Sequence, residues 1–223
     1  MYSGGKDSTM ALHRAVRDGL DVVVLASVIP AYKYSMLYHQ PLYQCLLAQS
    51  QSLGIPLEST GLVNPEAERE TLKHLLKRIR EKYRVEAVVS GALKSVFQYR
   101  IFGEIARELG LKFYTPLWMI NEEEYLWSLL REGIEFIIIS ITSMGIPLDL
   151  LGKPITREDV EKLVRLSRKY GFNLSFEGGD AETLVVDAPL FKYRLELTGR
   201  KHIVSEYEGY YIVEEIKSIK KQR

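Results

Sequence analysis

Ser3-Gly4-Gly5-Lys6-Asp7-Ser8 stands almost at the start of the chain and runs straight into Thr9-Met10-Ala11-Leu12-His13-Arg14-Ala15-Val16, which reads as a helix. Gly4 and Gly5 lack Cβ atoms, so the backbone can turn tightly and bring N–H groups against an anion, while Ser3 and Ser8 add hydroxyl donors. A loop placed at a helix N-terminus also gains from the orphan N–H groups and the helix dipole. The string fits S-G-G-x-D-S, the pyrophosphate-binding loop of enzymes that split ATP between its α- and β-phosphates. No window fits the Walker pattern G-x-x-x-x-G-K-[S/T], which removes the main support for a kinase or GTPase. The competing reading is a polar turn in which Asp7 or Ser8 caps the next helix, yet a cap needs one such residue and not two glycines framed by two serines.

Working outward from the loop, strand and helix signals alternate. Residues 21–28 form a continuous apolar run, as expected of a parallel strand covered on both faces. Residues 37–53 read as a helix, a short extended piece follows near Ile55, and 65–83 is a charged amphipathic helix with Leu72, Leu75, Leu76 and Ile79 as its stripe. Residues 85–91 are the next strand and turn, 97–109 a helix, and 111–114 a strand. This βα alternation implies an α/β fold with a doubly wound parallel sheet. After Pro116 the pattern changes: helices at 122–131 and 156–170, with Thr156 as N-cap, surround a β-branched strand from Phe136. Short strands follow at 173–176, 183–186, 193–197 and 210–214, and the basic tail at 217–223 is expected to fray. The boundary falls near 116–122, giving a nucleotide-binding domain at 1–118 and a smaller α/β domain at 119–223.

The loop creates a topological difficulty. In a doubly wound sheet the strand leading into it lies centrally, between the strands near 22–28 and 85–89, but only Met1 and Tyr2 precede Ser3. Two residues cannot cross a sheet at about 3.3 Å each. Each buried unpaired backbone group costs roughly 1–3 kcal/mol. The expectation is that the natural chain starts upstream, and that this one shows a gap or a weakly paired centre between those two strands.

Composition bounds the partners. The 223 residues carry 30 basic and 29 acidic side chains, a formal charge of +1, so no global field recruits nucleic acid or an anionic membrane. Cys45 is the single cysteine, which excludes an internal disulfide, a C-x-x-C pair and a cysteine-based zinc site. It lies in an apolar helical stretch and reads as a packed thiol. The longest apolar run is too short to span a bilayer, and no signal region opens the chain, so a cytoplasmic location is expected. Oligomeric state is open, a homo-oligomer included.

A second unusual string is Phe176-Glu177-Gly178-Gly179-Asp180-Ala181-Glu182-Thr183, continuing to Phe191. It reads either as a solvated acidic turn or as a rigid loop presenting carboxylates to a cation. With this string the chain resembles, nearly end to end, the diphthine ammonia ligases, also called diphthamide synthases. The resemblance rests on Ser3 to Ser8, on Ser35-Met36-Leu37-Tyr38-His39, on Ser90-Gly91-Ala92-Leu93 with Gln98-Tyr99-Arg100, on Thr115-Pro116-Leu117-Trp118, and above all on Glu177 to Phe191. Two departures are visible: the family pattern E-G-G-E-[Y/F]-E-T has Asp180 and Ala181 here in place of its second Glu and the aromatic.

The resemblance implies the last step of diphthamide formation on elongation factor 2. ATP activates the carboxylate of diphthine as an acyl-adenylate, and ammonia displaces AMP to leave the primary amide. By the same resemblance, Ser3, Gly4, Gly5 and Ser8 hold pyrophosphate, Asp7 ligates or orients magnesium, and Lys6 offsets phosphate charge, with a solvated lysine as the alternative at that variable position. Asp7→Ala is expected to abolish ligation and leave the fold intact. Ser27, at the carboxyl edge of its strand, and Gly91-Ala92 across the crevice are placed to meet the nucleotide. Arg100 is a candidate for a phosphate or for solvent. For the trimethylammonium of diphthine, Glu177, Asp180 and Glu182 in the Gly178-Gly179 turn, with Thr183, Gln98, Tyr38 and His39, form the candidate acceptor site. With no glutaminase signature, free ammonium is the expected nitrogen source. Two alternatives remain: a tRNA-modifying ligase or thiolase with the same loop, disfavoured by neutral charge and the lack of a second cysteine, and a nucleotide-sensing module without turnover.

Overall fold

The computed structural model describes residues 1–31 and 43–221. The chain divides into two compact units, Met1–Trp118 and Met119–Arg223.

The first unit runs α1 (Lys6–Arg17), β1 (Leu25–Pro30), α2 (Tyr43–Leu53), β2 (Leu57–Leu62), α3 (Glu68–Tyr83), β3 (Ala87–Val89), α4 (Val96–Glu108) and β4 (Lys112–Tyr114). β1 and β2 are parallel, from Leu25 opposite Leu57 to Pro30 opposite Leu62, and β3 and β4 are parallel with Val88 opposite Phe113. Alternate β1 residues Ala26 and Val28 join Leu72, Leu75, Leu76 and Ile79 of α3 and Phe102, Ile105 and Ala106 of α4 in one core. The three- and four-residue spacing of the α3 stripe is what turns those side chains to one side. Each fully buried leucine there contributes roughly 1.5–3 kcal/mol. Pro65–Ala67 is a separate 3-10 turn, its start fixed by the Asn64 side chain accepting from Glu66 N, so α3 begins three residues later than the periodicity suggests.

The expected break at the sheet centre is present: β1–β2 and β3–β4 are separate two-stranded sheets. Met1 and Tyr2 lie between them. Tyr2 N donates to Ala26 O at 2.8 Å, and the Met1 amino group donates to Val89 O at 2.6 Å. Below this stub opens a cavity of about 530 Å³ lined by Val22, Val24, Val85 and Ala87 among others. The absent inner neighbour explains why both flanking strands are shorter than their apolar runs, starting at Leu25 and Ala87 instead of residues 21 and 85.

The second unit runs α5 (Glu122–Arg131), β5 (Glu135–Ile141), α6 (Arg157–Tyr170), β6 (Ala181–Asp187), β7 (Tyr193–Ile203) and β8 (Gly209–Lys220), in an antiparallel sheet ordered β6-β5-β8-β7. Thr156 and Asp159 make the full capping box at α6, and Gly171 ends that helix in the left-handed region. Two expectations fail. Residues 173–176 are a turn, because Phe176 N bonds back to Asn173 O and Phe176 has φ +60. The basic tail does not fray at 217: β8 continues to Lys220, paired with Tyr193 of β7. Among the described residues no helix is long and apolar enough to cross a membrane.

Candidate functional site

The glycine-serine loop folds tightly on itself. Ser3 N donates to Ser8 Oγ at 3.2 Å, the two serine hydroxyls lie 3.2 Å apart, and Ser8 Oγ donates to Gly5 O at 3.1 Å. α1 starts at Lys6 and not at Thr9, with Gly5 as N-cap and no side chain capping it. Asp7 and Ser8 therefore sit inside the first turn, which removes the reading of either as a simple cap. A helix terminus left without a side-chain cap suits an external anion.

Lys6 is not solvated. It is 1% exposed, and its Nζ lies 2.9 Å and 3.0 Å from the two carboxylate oxygens of Asp7. Two further contacts fix the loop. Gly4 has φ +76, and a Cβ there would run into Gln49 Oε1 of α2 and lie 3.0 Å from Leu46 Cδ2. Gln49 is fully buried, and its Nε2 donates to Gly4 O at 3.0 Å. From the other side, a Cβ on Gly91 would lie 2.6 Å and 2.7 Å from the carbonyl carbon and oxygen of Asp7 and 2.8 Å from Ser8 N. The turn after β3 thus lies directly on the α1 terminus, held by Ser90 N donating to Tyr114 O and by Ala92 N donating to Ser90 Oγ. Behind the loop Tyr2 is buried and receives the Thr9 hydroxyl; burial pushes its phenol pKa up, against the effect of Thr9.

The remaining expectations for this unit divide. Ser27 is buried in the middle of β1, opposite Ser59, and the carboxyl edge belongs to Pro30. Arg100 is exposed and pairs with Glu104 one turn on, at 3.8 Å. Gln98 sits in the first turn of α4, its N–H taken by the Ser95 cap. Tyr99, between them, stacks on Trp118 at 4.1 Å and meets Phe113 edge-on at 5.5 Å, which gives the Gln98-Tyr99-Arg100 and Thr115-Pro116-Leu117-Trp118 strings a packing role. Tyr38 and His39 lie outside the described residues. Cys45 is buried, as expected of a packed thiol, and burial pushes it up to about 11.

In the second unit the acidic string forms a turn over residues 177–180, with Gly178 and Gly179 both at positive φ, leading into β6. Asp180 turns inward: its Oδ2 accepts from Asn173 N at 2.8 Å. Asn173 Nδ2 in turn donates to Glu177 O at 3.0 Å, and Thr142 N donates to Asp180 O at 3.0 Å. The shorter carboxylate thus ties the turn together. Ala181 is buried opposite Ile141, so the position of the missing aromatic belongs to the start of a core strand. Glu182 faces Ser140 and Thr183 faces Ile138 across the β5 pairing, and Glu177 and Glu182 remain half-buried. Adjacent strand residues point to opposite sheet faces, so Glu182 and Thr183 do not share one. Among the described residues no group of three or more His, Cys, Asp or Glu is arranged to hold a metal ion.

Sequence reasoning passed over Gln49 and the depth of Lys6. Gln49 left no signal beyond its position in a helix, because its burial depends on which face α2 turns toward Gly4.

Comparison with known proteins identifies the family. The model of the diphthamide synthase N-terminal domain matches residues 1–113, and that of the diphthamide synthase C-terminal domain matches 121–219. A Bos taurus protein named diphthine–ammonia ligase is 31% identical over 215 residues, covering 87% of this chain and 80% of its own. Proteins of the same name from Schizosaccharomyces pombe and Homo sapiens are 33% and 28% identical over 94% of this chain, covering 37% and 86% of theirs. Among solved structures, a Methanocaldococcus jannaschii chain described as a subunit of tRNA methyltransferase aligns at 17% identity with a TM-score of 0.42, over 85% of this chain and 95% of that one, a likeness too loose to carry an argument. With both domain models matching in order and a relative of this similarity over most of its length, the chain belongs to the diphthamide synthase family.

Proposed function

We propose that this chain is an ATP-dependent ligase that converts diphthine on elongation factor 2 to diphthamide, with free ammonium as nitrogen donor. The observation that carries the reading is the tight loop from Ser3 to Ser8 at the start of α1, held by Gln49 and closely approached by Gly91, in a member of this family. The diphthine carboxylate oxygen attacks the α-phosphorus of ATP, forming an acyl-adenylate and releasing pyrophosphate. Ammonia then attacks the activated carbonyl, AMP leaves with the C–O electron pair, and a proton passes to solvent. Activation is needed because a carboxylate offers ammonia no leaving group, whereas an acyl-adenylate does.

The residues fit the nucleotide. Ser3, Gly4, Gly5 and Ser8 would hold pyrophosphate at the α1 terminus, and Lys6, buried beside them, would offset its charge. Asp7 would hold magnesium, which is commonly bound by one or two carboxylates together with substrate phosphates, so a lone carboxylate at the loop suits it. The ion supplies charge neutralisation on the phosphates. Gly91 and Ala92 border the same terminus. Glu177 and Glu182 are the proposed contacts for the acceptor in the second unit; Thr183 points to the other sheet face, and Asp180 supports the pair by fixing the turn.

The test is the identity of the nucleotide product with diphthine-bearing elongation factor 2, magnesium and ammonium present. AMP and pyrophosphate, formed only when the acceptor is added, are expected. ADP would remove the ligase reading and the sensing module together, and ATP binding without turnover would leave only the sensing module.

A further inference from the structure

Gln49 lies on α2, ten residues inside the chain from any string that marked the site, yet it is fully buried and donates its amide to Gly4 O at 3.0 Å. In a trans peptide the C=O and the following N–H point in opposite directions. Anchoring the Gly4 carbonyl on Gln49 therefore turns the Gly5 N–H away from α2, to the opposite side of the loop. Gly5 is the N-cap of α1, and this cap carries no side-chain hydrogen bond among the described residues. Gly4 could not adopt its φ of +76 beside this amide with any side chain of its own, since a Cβ would meet Gln49 Oε1 and Leu46. The glutamine and the glycine fit each other, and together they set one peptide plane.

We infer that Gln49 is a positioning residue that aims the Gly5 N–H at the pyrophosphate of the bound nucleotide. This rests on the pyrophosphate role proposed for the loop. The inference explains why an amide is buried in α2 where an apolar side chain would pack as well. Because Gln49 acts through one backbone donor, its loss weakens pyrophosphate recognition selectively and leaves AMP recognition near its wild-type level.

The test uses the full chain and inorganic pyrophosphate and AMP as separate probes, by calorimetry, with ¹⁵N-glycine labelling to follow the Gly5 amide. Gln49→Met keeps the side chain's length and loses the donor, and Gln49→Leu is the companion in case one of them fails to fold. Wild type is expected to bind pyrophosphate with a downfield shift of the Gly5 amide. Gln49→Met is expected to bind pyrophosphate roughly ten- to a hundredfold more weakly, in line with the loss of one hydrogen bond to a charged group, without that amide shift. Unchanged pyrophosphate affinity in a folded variant overturns the inference alone, as does an equal fall for AMP and pyrophosphate. A wild type that ignores pyrophosphate overturns the inference together with the nucleotide reading beneath it.

Discussion

Lys6 and Asp7 are neighbours in sequence and partners in space, and the pair changes what a substitution at Asp7 means. The Lys6 side chain is 2% exposed while the Asp7 side chain is 29% exposed. Removing the carboxylate leaves a buried cation short of the charge facing it, a change that costs about 3–5 kcal/mol in a fully buried pair and less where one partner meets water. Asp7→Ala is therefore expected to destabilise the chain by about 2 kcal/mol as well as to stop ligation, contrary to the expectation that the fold is untouched. Urea unfolding of Asp7→Ala beside Asp7→Asn measures this; Asp7→Ala unfolding at the wild-type midpoint contradicts it. At this scale the chemistry of the loop was legible because glycine and serine have few reasons to alternate so closely. The burial of Lys6 was not, since a lysine next to an aspartate in sequence reads the same whether it faces solvent or the interior. Asp180 was legible as a carboxylate and not as a strut, because its partner Asn173 belongs to a stretch whose residues resemble a strand.

Among elements, the contact that defines the site is the turn after β3 lying on the first turn of α1. The atoms that a Cβ on Gly91 would meet are backbone atoms of Asp7 and Ser8, which cannot rotate away. Gly91→Ala is expected to push the turn off the loop, cost roughly 1–3 kcal/mol of stability and weaken ATP binding together with it. Gly61→Ala, where a Cβ meets nothing within 4 Å, serves as the neutral control. Thermal unfolding and ATP titration of the two variants decide the matter: a Gly91→Ala protein that matches Gly61→Ala in both shows that the close approach is dispensable. Helix starts were readable almost to the residue where a cap marks them, as at Thr156, while the stripe of Leu72, Leu75, Leu76 and Ile79 gave the buried face of α3 but not its start. Strand ends were less so, because an apolar run marks what is buried, whereas a strand exists only as far as a partner pairs with it. Val22 to Val24 show the difference: apolar in sequence, outside any strand in the fold.

At the scale of the whole molecule, the two-unit organisation carries the remaining predictions. Glu177 and Glu182 stand in the second unit, whereas the Ser3–Ser8 loop belongs to the first. Glu177→Gln or Glu182→Gln is thus expected to raise the KM for the protein acceptor well beyond any change in ATP affinity, and equal losses in the two contradict the assignment. The α/β class followed from the alternation of strand and helix signals, and the break at the sheet centre from that topology together with the position of the loop, whereas the antiparallel order of the second sheet did not follow, since short strands carry no sign of their neighbours. The most direct test of the account is mass spectrometry of the diphthine-bearing peptide of elongation factor 2 after incubation with this chain, ATP, magnesium and ¹⁵N-ammonium. Conversion of the carboxylate to an amide that carries the label, with one AMP formed per amide, is the predicted result; an unchanged peptide under conditions where the chain binds ATP would contradict it.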